Sequence, residues 1–323
     1  MTLLQAILLG IVQGLTEFIP ISSTAHLVLA GRAMNLPLTP EQTTASIAVI
    51  QLGTLVAVLI YFARDIWNIT RAFVHDHLAM LKHGRHDDFN RTIPGARLSP
   101  DAWLGWLVII GSIPVAVVGL LFKKQIEGTF TKNLLVIATM MFVIAILLGI
   151  AEFVGKQRRR MNELGIKDSL AVGFAQCLAL IPGSSRSGST IMAGLFAGET
   201  RETAARFSFL LSIPAVAASG LLELKEALHK LPHGSLGPLA LGTIVSGIIG
   251  YISIWFLLHY LRTHTTGIFI AYRLLVGGAI LFMVFSGRLA PAINSQAQLS
   301  VPPAAATFAA SPTASSQSFV VNH

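Results

Sequence analysis

Polar, chemistry-bearing residues interrupt the apolar N-terminus of this chain. The stretch from Gly10 to His26 contains Glu17, Pro20 and a Ser-Ser-Thr run. A helix that only anchors a protein in a membrane has no use for such groups, and ionisable side chains inside a bilayer are costly. We therefore predict a functional site in this stretch.

Two pairs of side chains in the stretch have helical spacing. Ser23 and His26 are three residues apart, so a helix places them on one face, where they could act as nucleophile and general base. Gln13 and Glu17 are four apart. Glu17 could hold Mg²⁺ or Ca²⁺ against phosphates, because these cations prefer oxygen ligands. It could instead act as a general base, or be a protonated carboxyl that hydrogen-bonds a break in the helix.

A second polar stretch, Pro182-Gly-Ser-Ser-Arg-Ser-Gly-Ser-Thr190, also lies between short apolar segments. We predict that each break precedes a short helix, capped by Ser22 or Ser23 in the first case and by Ser184 or Ser185 in the second. Helix N-termini bind phosphate, and a guanidinium such as that of Arg186 can donate two parallel hydrogen bonds to it. The alternative is a capping turn with an arginine that reaches toward the membrane surface.

The two stretches belong to an internal repeat. Gly10-Ile-Val-Gln-Gly-Leu recurs as Gly173-Phe-Ala-Gln-Cys-Leu, and Ile19-Pro-Ile-Ser-Ser recurs as Ile181-Pro-Gly-Ser-Ser. We predict one membrane domain over residues 1–286, with repeat one at about 1–154 and repeat two at about 168–286. Each repeat has three full spans, so the second is inverted, and such folds place their site near the bilayer midplane, where broken helices meet. Gln176, the counterpart of Gln13, is expected only to satisfy backbone groups at its break.

Composition identifies the class of protein. The chain is 53% hydrophobic and 12% charged, whereas soluble domains carry about 25% charged residues. The net charge of +8 would suit nucleic acid, but Lys and Arg lie between the apolar runs, as membrane topology requires. We predict an all-α integral membrane protein, no nucleic acid partner, two re-entrant broken helix pairs and about six transmembrane helices, at 44–63, 103–122, 133–154, 204–224, 236–261 and 268–286.

The segments between and beyond these spans have simpler readings. Basic loops at 64–101 and 155–168 lie on one side, which the positive-inside rule makes cytoplasmic.

The four histidines of the first loop lie among charged residues and are not expected to bind metal; they are His75, His77, His83 and His86. Arg206 and Arg273 lie near span ends, where reaching toward the interface is the expected role. Residues 287–323 are predicted to be a disordered, low-complexity tail.

Residues 13–26 and 182–190 closely resemble the two signatures of the undecaprenyl-diphosphate phosphatases, the bacitracin-resistance family. The resemblance runs from about residue 5 to 286. It implies a multi-pass enzyme of the bacterial inner membrane with a site open to the periplasmic side. Such an enzyme hydrolyses undecaprenyl diphosphate to undecaprenyl phosphate and inorganic phosphate, which recycles the lipid carrier of peptidoglycan synthesis and confers bacitracin resistance. The resemblance leaves open whether the protein forms a homodimer.

The resemblance also implies roles for residues. It makes Glu17 part of an acidic motif associated with divalent metal, and Gln13 stands where many members have Glu. Since an amide carries no charge, Glu17 bears more of the metal role. The expected catalytic residues are Ser23, His26, Glu17 and Arg186. The expected diphosphate-binding residues are Ser22, Thr24, Ser184, Ser185, Arg186, Ser187 and Thr190.

Alternatives remain at this stage. In one mechanism Ser23, activated by His26, attacks the terminal phosphorus and forms a phosphoserine; in the other, water activated by Glu17 or His26 attacks directly. A second functional class is a transporter or flippase for a lipid phosphate or another anion, because inverted repeats with broken helices are a transporter architecture. A structural scaffold ranks last, since it leaves Glu17, His26 and Arg186 unexplained.

Overall fold

The fold is helical throughout the part of the chain that the computed structural model describes, which comprises residues 1–36, 38–83, 98–122, 133–230 and 236–291. These residues contain no β-strand. The helices are α1 Leu3–Phe18, α2 Ser23–Ala33, α3 Pro40–Tyr61, α4 Ala63–His83, α5 Pro100–Leu121, α6 Leu134–Val154, α7 Ile166–Cys177, α8 Arg186–Phe196, α9 Arg201–Lys230, α10 Leu236–Tyr260 and α11 Gly267–Phe285.

Six helices among the described residues are long and apolar enough to cross a bilayer: α3, α5, α6, α9, α10 and α11. A bilayer core about 30 Å thick needs roughly 20 apolar residues in a helix, and these helices coincide with the six predicted spans. The prediction of an all-α, multi-pass membrane protein is confirmed.

Two pairs of short helices flank the predicted breaks. The members of the first pair, α1 and α2, have 16 and 11 residues, and those of the second pair, α7 and α8, have 12 and 11. Each second helix is preceded by a serine with a left-handed backbone, Ser22 at φ 80° and Ser185 at φ 67°. This conformation is strained for a residue other than glycine. At both breaks, the residue before the second short helix is therefore a serine with the same rare backbone conformation.

Helix packing follows the same correspondence. α1 packs on α10, and α7 packs on α5, which is the counterpart of α10 in the first repeat. The contacts are close because both first helices carry glycine. A Cβ on Gly10 would overlap the carbonyl oxygen of Gly242, and a Cβ on Gly173 would overlap that of Gly111. The packing supports the internal repeat, and the inverted orientation stays a prediction.

The prediction of a polar loop over residues 64–101 was wrong in part. Its described residues up to His83 form α4, which starts directly after α3. One face of α4 packs on α5: the His77 ring stacks on Phe73 at 4.2 Å between centroids, and the indole of Trp106 donates to His77 Nε2 at 3.1 Å. An amphipathic helix that lies against a span reads as a polar loop when only its charge is counted.

The limits of the membrane domain and of its tail stay predictions. Residues 292–323 lie outside the described residues, as do His86 and the rest of 84–97. The described residues all belong to one compact unit.

The largest apolar cluster of this unit includes three edge-to-face rings, with Phe209 at 5.4 Å from Phe18 and 6.3 Å from Phe62. Phe18 ends α1, so this cluster supports the first break.

The loop after α6 holds the C-terminal end of α8. Arg159 forms an ion pair with Asp168, and its backbone nitrogen donates to Gly198 O at 3.0 Å. The Glu199 side chain lies beside this pair, fully buried, and neither carboxyl oxygen has a hydrogen-bond partner within the described ranges. Burial and the nearby Asp168 charge raise the pKa of Glu199 to about 7, although the Arg159 charge opposes the shift.

This buried carboxyl should make the stability of the protein depend on pH. Because the pKa is higher in the folded state, the folded chain keeps a proton that the unfolded chain has lost, so stability falls between about pH 4.5 and about pH 7 and is level above that range. We expect Glu199→Gln to remove this decline, which amounts to about 3 kcal/mol at most. Unfolding in detergent from about pH 4 to about pH 8 measures it. The exposed Glu202→Gln is the control, and parallel curves for wild type and Glu199→Gln would contradict the expectation.

Candidate functional site

The two breaks meet at one cavity of about 740 Å³. Residues of α3, α5 and α9 complete its wall, and many of these are apolar or small, including Val115, Leu120, Ala215 and Ala218. The wall therefore combines polar residues, most of them at the breaks, with apolar and small residues, many of them on the spans. The predicted site residues that line it are Glu17, Ser22, Ser23, Thr24, Ser185 and Arg186.

An ion pair joins the breaks across the cavity. Arg186 at the start of α8 donates through Nη2 to Oε1 of Glu17, which lies near the end of α1. Both side chains are mostly buried, with 18% and 8% of their surface exposed. The amide of Gln13 donates to Oε2 of the same carboxylate at 3.0 Å, in agreement with the predicted shared face. Glu17 and Arg186 are 169 residues apart in the chain, and only the fold brings them together.

The hydroxyls at the second break divide into two groups. Ser185 lines the cavity and caps α8, accepting from the backbone nitrogen of Gly188 at 3.2 Å, as predicted. Ser184 donates instead to the carbonyls of Leu178 and Ile181. Thr190 donates to a backbone carbonyl of its own helix and contacts Ser208, and Ser187 contacts the hydroxyl of Ser185. In this conformation only Ser185 of the predicted hydroxyls in α8 and its cap lines the cavity.

The first break differs from the second. Ser22 occupies the N-cap position of α2 but makes no capping hydrogen bond, and no side-chain cap by Ser23 is found either, so that prediction was wrong. The buried Ser22 hydroxyl has no partner among the described residues. Ser22, Ser23 and Thr24 all contribute to the cavity wall.

His26 lies one turn into α2 and is engaged on both ring nitrogens. Nδ1 is 2.7 Å from the carbonyl oxygen of Ser22, and because a carbonyl only accepts, this nitrogen carries the proton. Nε2 therefore accepts from the hydroxyl of Tyr272, also at 2.7 Å, and the two rings stack. No hydrogen bond joins Ser23 to His26 in the described part of the chain. The predicted nucleophile and base thus share a helix but are not hydrogen-bonded to each other.

Arg273 is the residue whose role sequence reasoning missed. It was expected to reach toward the interface, but its side chain is fully buried. It donates to Pro20 O at the first break at 3.3 Å and to Gly183 O and Ser184 O at the second at 3.1 and 3.0 Å. One guanidinium thus holds both breaks. A lone cation within an apolar span was the signal that could have revealed it, because such a charge must find acceptors inside the protein.

Arg206 and His77 lie away from the cavity. Arg206 pairs with Asp65 at 2.5 Å, and its guanidinium covers the buried ring of Phe62; 36% and 31% of the Arg206 and Asp65 side-chain surfaces are exposed. Nε2 of His77 accepts a hydrogen bond from the indole nitrogen of Trp106. The described residues contain no group of three or more His, Cys, Asp or Glu that could hold a metal ion.

The cavity fits a divalent metal only in partnership with a ligand. Glu17 offers a carboxylate to the cavity. Gln13 is not one of the lining residues, but its amide contacts that carboxylate, and its buried Oε1 has no partner among the described residues. Mg²⁺ is often bound by one or two carboxylates together with substrate phosphates. The donor set therefore suits an ion shared between Glu17, Gln13 and a phosphate, rather than one enclosed by the protein alone. The pairing of Glu17 with Arg186 means that such an ion and the guanidinium would share one carboxylate.

Comparison with known proteins gives a consistent result. Residues 6–279 match the family model described as bacitracin resistance protein BacA. A protein of Syntrophobacter fumaroxidans named undecaprenyl-diphosphatase is 52% identical over 287 residues, covering 88% of this chain and 98% of the relative. Proteins of the same name from Mycolicibacterium gilvum and Chlorobaculum tepidum are 44% and 45% identical, each over 90% of this chain and 99% or 100% of the relative.

Proposed function

Because this chain belongs to the bacitracin resistance protein BacA family, we propose that it is an undecaprenyl-diphosphate phosphatase. It hydrolyses undecaprenyl diphosphate to undecaprenyl phosphate and inorganic phosphate, and so recycles the lipid carrier for peptidoglycan synthesis and confers bacitracin resistance. The observation that carries the proposal is the cavity in which Arg186 of one break meets Glu17 of the other.

The cavity suits both ends of this substrate. A lipid diphosphate has a polyanionic head and a long apolar tail. The head fits the breaks, where Arg186, Ser185 and the N-terminus of α8 offer hydrogen-bond donors. The tail fits the apolar part of the wall, to which α5 contributes Val115 and Leu120 and α9 contributes Ala215 and Ala218.

In the mechanism we favour, Arg186 binds the diphosphate and offsets charge that develops at the terminal phosphate. Ser23 Oγ attacks the terminal phosphorus; its proton passes to Nε2 of His26, which must first release the hydroxyl of Tyr272. The Oγ–P bond forms while the bond from phosphorus to the bridging oxygen breaks, and undecaprenyl phosphate leaves. Water then hydrolyses the phosphoserine. The rival is direct attack by water activated by Glu17 or His26.

A divalent cation, Mg²⁺ or Ca²⁺, is part of this proposal, and Glu17 with Gln13 would hold it. When bound, it supplies positive charge that lowers the barrier to attack at phosphorus. Wild-type protein in detergent should therefore lose phosphate release in the presence of a chelator and regain it when metal is added.

We also propose that the protein resides in the bacterial inner membrane with its cavity open to the periplasmic side. Basic residues of 155–168, including Lys156, Arg158 and Lys167, support a cytoplasmic position for that loop by the positive-inside rule. A homodimer and the absence of a nucleic acid partner stay predictions.

Chemical trapping distinguishes the two mechanisms. With substrate labelled on its terminal phosphate, wild type stopped by acid during turnover should retain the label on protein, and Ser23→Ala should retain none, because only the hydroxyl can carry the phosphoryl group. Thr24→Ala, which removes the neighbouring hydroxyl, should still be labelled. Phosphate release by Ser23→Ala at the wild-type rate would support attack by water.

Transport of a lipid phosphate or another anion is the alternative, because the repeat-like packing of α1 on α10 and α7 on α5 also suits transporters. Folded wild type that binds undecaprenyl diphosphate with metal present but never releases phosphate would favour transport.

A further inference from the structure

Gln176 is a buried polar residue of the cavity wall. It lies near the end of α7 and is fully buried. It lines the same cavity as Arg186. Neither Nε2 nor Oε1 of its amide reaches a hydrogen-bond partner anywhere in the described residues. The expectation that Gln176 satisfies backbone groups at the break is therefore wrong.

A buried amide without partners requires an explanation. Leaving a donor and an acceptor unsatisfied away from water destabilises a protein, and most buried polar side chains in native structures are paired. An apolar residue of similar volume would fill the same space without that penalty. The amide is thus a candidate for a contact made only when a ligand is present.

Gln13 shows what its counterpart lacks. Gln13 donates to the carboxylate of Glu17, four residues along α1. Four residues after Gln176 the chain has Leu180, which also lines the cavity. The second repeat therefore keeps the amide but has no carboxylate to receive its hydrogen bond. An anionic ligand in the cavity would supply the missing acceptor.

We propose that Gln176 is a substrate-binding residue whose Nε2 donates a hydrogen bond to a phosphate oxygen of the diphosphate held by Arg186. This inference rests on the proposed function. A neutral donor adds affinity for the diphosphate at the second break and leaves the charge balance between Glu17 and Arg186 unchanged. Substrate then takes the role toward Gln176 that Glu17 has toward Gln13.

Gln176→Leu tests the proposal, because a binding role and a structural role predict opposite results. Loss of a hydrogen bond to a charged phosphate should raise KM for undecaprenyl diphosphate by about tenfold or more, with a smaller change in kcat. The melting temperature in detergent should stay at the wild-type value or rise, since the unpaired amide is gone. Gln176→Met, in which the new side chain is also apolar and is unbranched like that of glutamine, should behave in the same way.

Ser246→Ala is the matched control. Ser246 is fully buried on α10, and its hydroxyl also has no partner in the described part of the chain, but it does not line the cavity. This variant should keep the wild-type KM. A lowered melting temperature with an unchanged KM in both Gln176 variants, or no effect on either quantity, would overturn the proposal.

Failure of the proposed function would be recognised separately. In that case folded wild type would release no phosphate at all. Binding of undecaprenyl diphosphate by wild type and Gln176→Leu can still be compared by equilibrium measurement, and equal affinities would overturn the role of Gln176 even if the protein were a transporter.

Discussion

Replacement of Arg186 by alanine should reduce phosphate release from undecaprenyl diphosphate by about 10²- to 10³-fold or more. The guanidinium is the only cationic group among the residues that line the cavity in the described structure. It can donate in parallel to two phosphate oxygens, which a neutral side chain cannot do. The measurement is phosphate release by purified protein in detergent, with metal and with a chelator.

Folding must be separated from chemistry in this experiment. Arg186→Ala leaves the mostly buried carboxylate of Glu17 without its ion-pair partner, and breaking a buried pair can cost about 3–5 kcal/mol. Arg186→Lys retains the charge and should fold, yet it loses the two-pronged contact and should remain well below wild type. The double variant Glu17→Gln, Arg186→Gln should be folded and inactive. Phosphate release by Arg186→Ala at the wild-type rate would show that the active site does not lie at the breaks.

The second large effect is expected at Arg273. Arg273→Met removes hydrogen bonds to the carbonyls of Pro20, Gly183 and Ser184. Each carbonyl then lies buried without that donor, so the unfolding free energy should drop by about 3 kcal/mol or more. Because the breaks lose their common anchor, the rate of phosphate release should also fall by about 10²-fold. Melting temperature and activity in detergent measure the two effects.

Two further variants make this expectation sharp. Arg273→Lys keeps a cation but offers fewer donors in a different geometry, so both effects should be intermediate. Arg262→Met is the control: its pair with Glu202 is exposed, at 55% and 37% of the side-chain surfaces, and such pairs are worth less than about 1 kcal/mol. Equal stability of Arg273→Met and Arg262→Met would show that the buried guanidinium does not hold the breaks together.

The protein's class and the site's location could be read from the chain. Apolar runs of spanning length predicted six helices that the structure contains, because a bilayer imposes one length on any helix that crosses it. Pro20 and Pro182 with their following serines predicted where the short helices begin. The repeated motifs predicted that two distant breaks form one site.

Local rules were less reliable for side chains. Ser185 caps α8 as predicted, but Ser22, in the same position before α2, does not cap its helix. Ser23 and His26 have the spacing of neighbours on one helix face, yet the imidazole of His26 is hydrogen-bonded to Tyr272 of α11. Spacing along a helix limits which residues can meet, whereas the partner chosen depends on what packs against that helix.

The sequence by itself thus determined the membrane class, the positions of the six spans and of the breaks, and the residue types available for phosphate chemistry, since all of these follow from local composition and periodicity. Only the tertiary structure decided that Arg186 meets Glu17, that Arg273 is buried between the breaks, and that Gln176 has no partner in the described chain. Burial and hydrogen-bond partners depend on side chains brought together from far apart in the sequence, and no local pattern encodes those contacts.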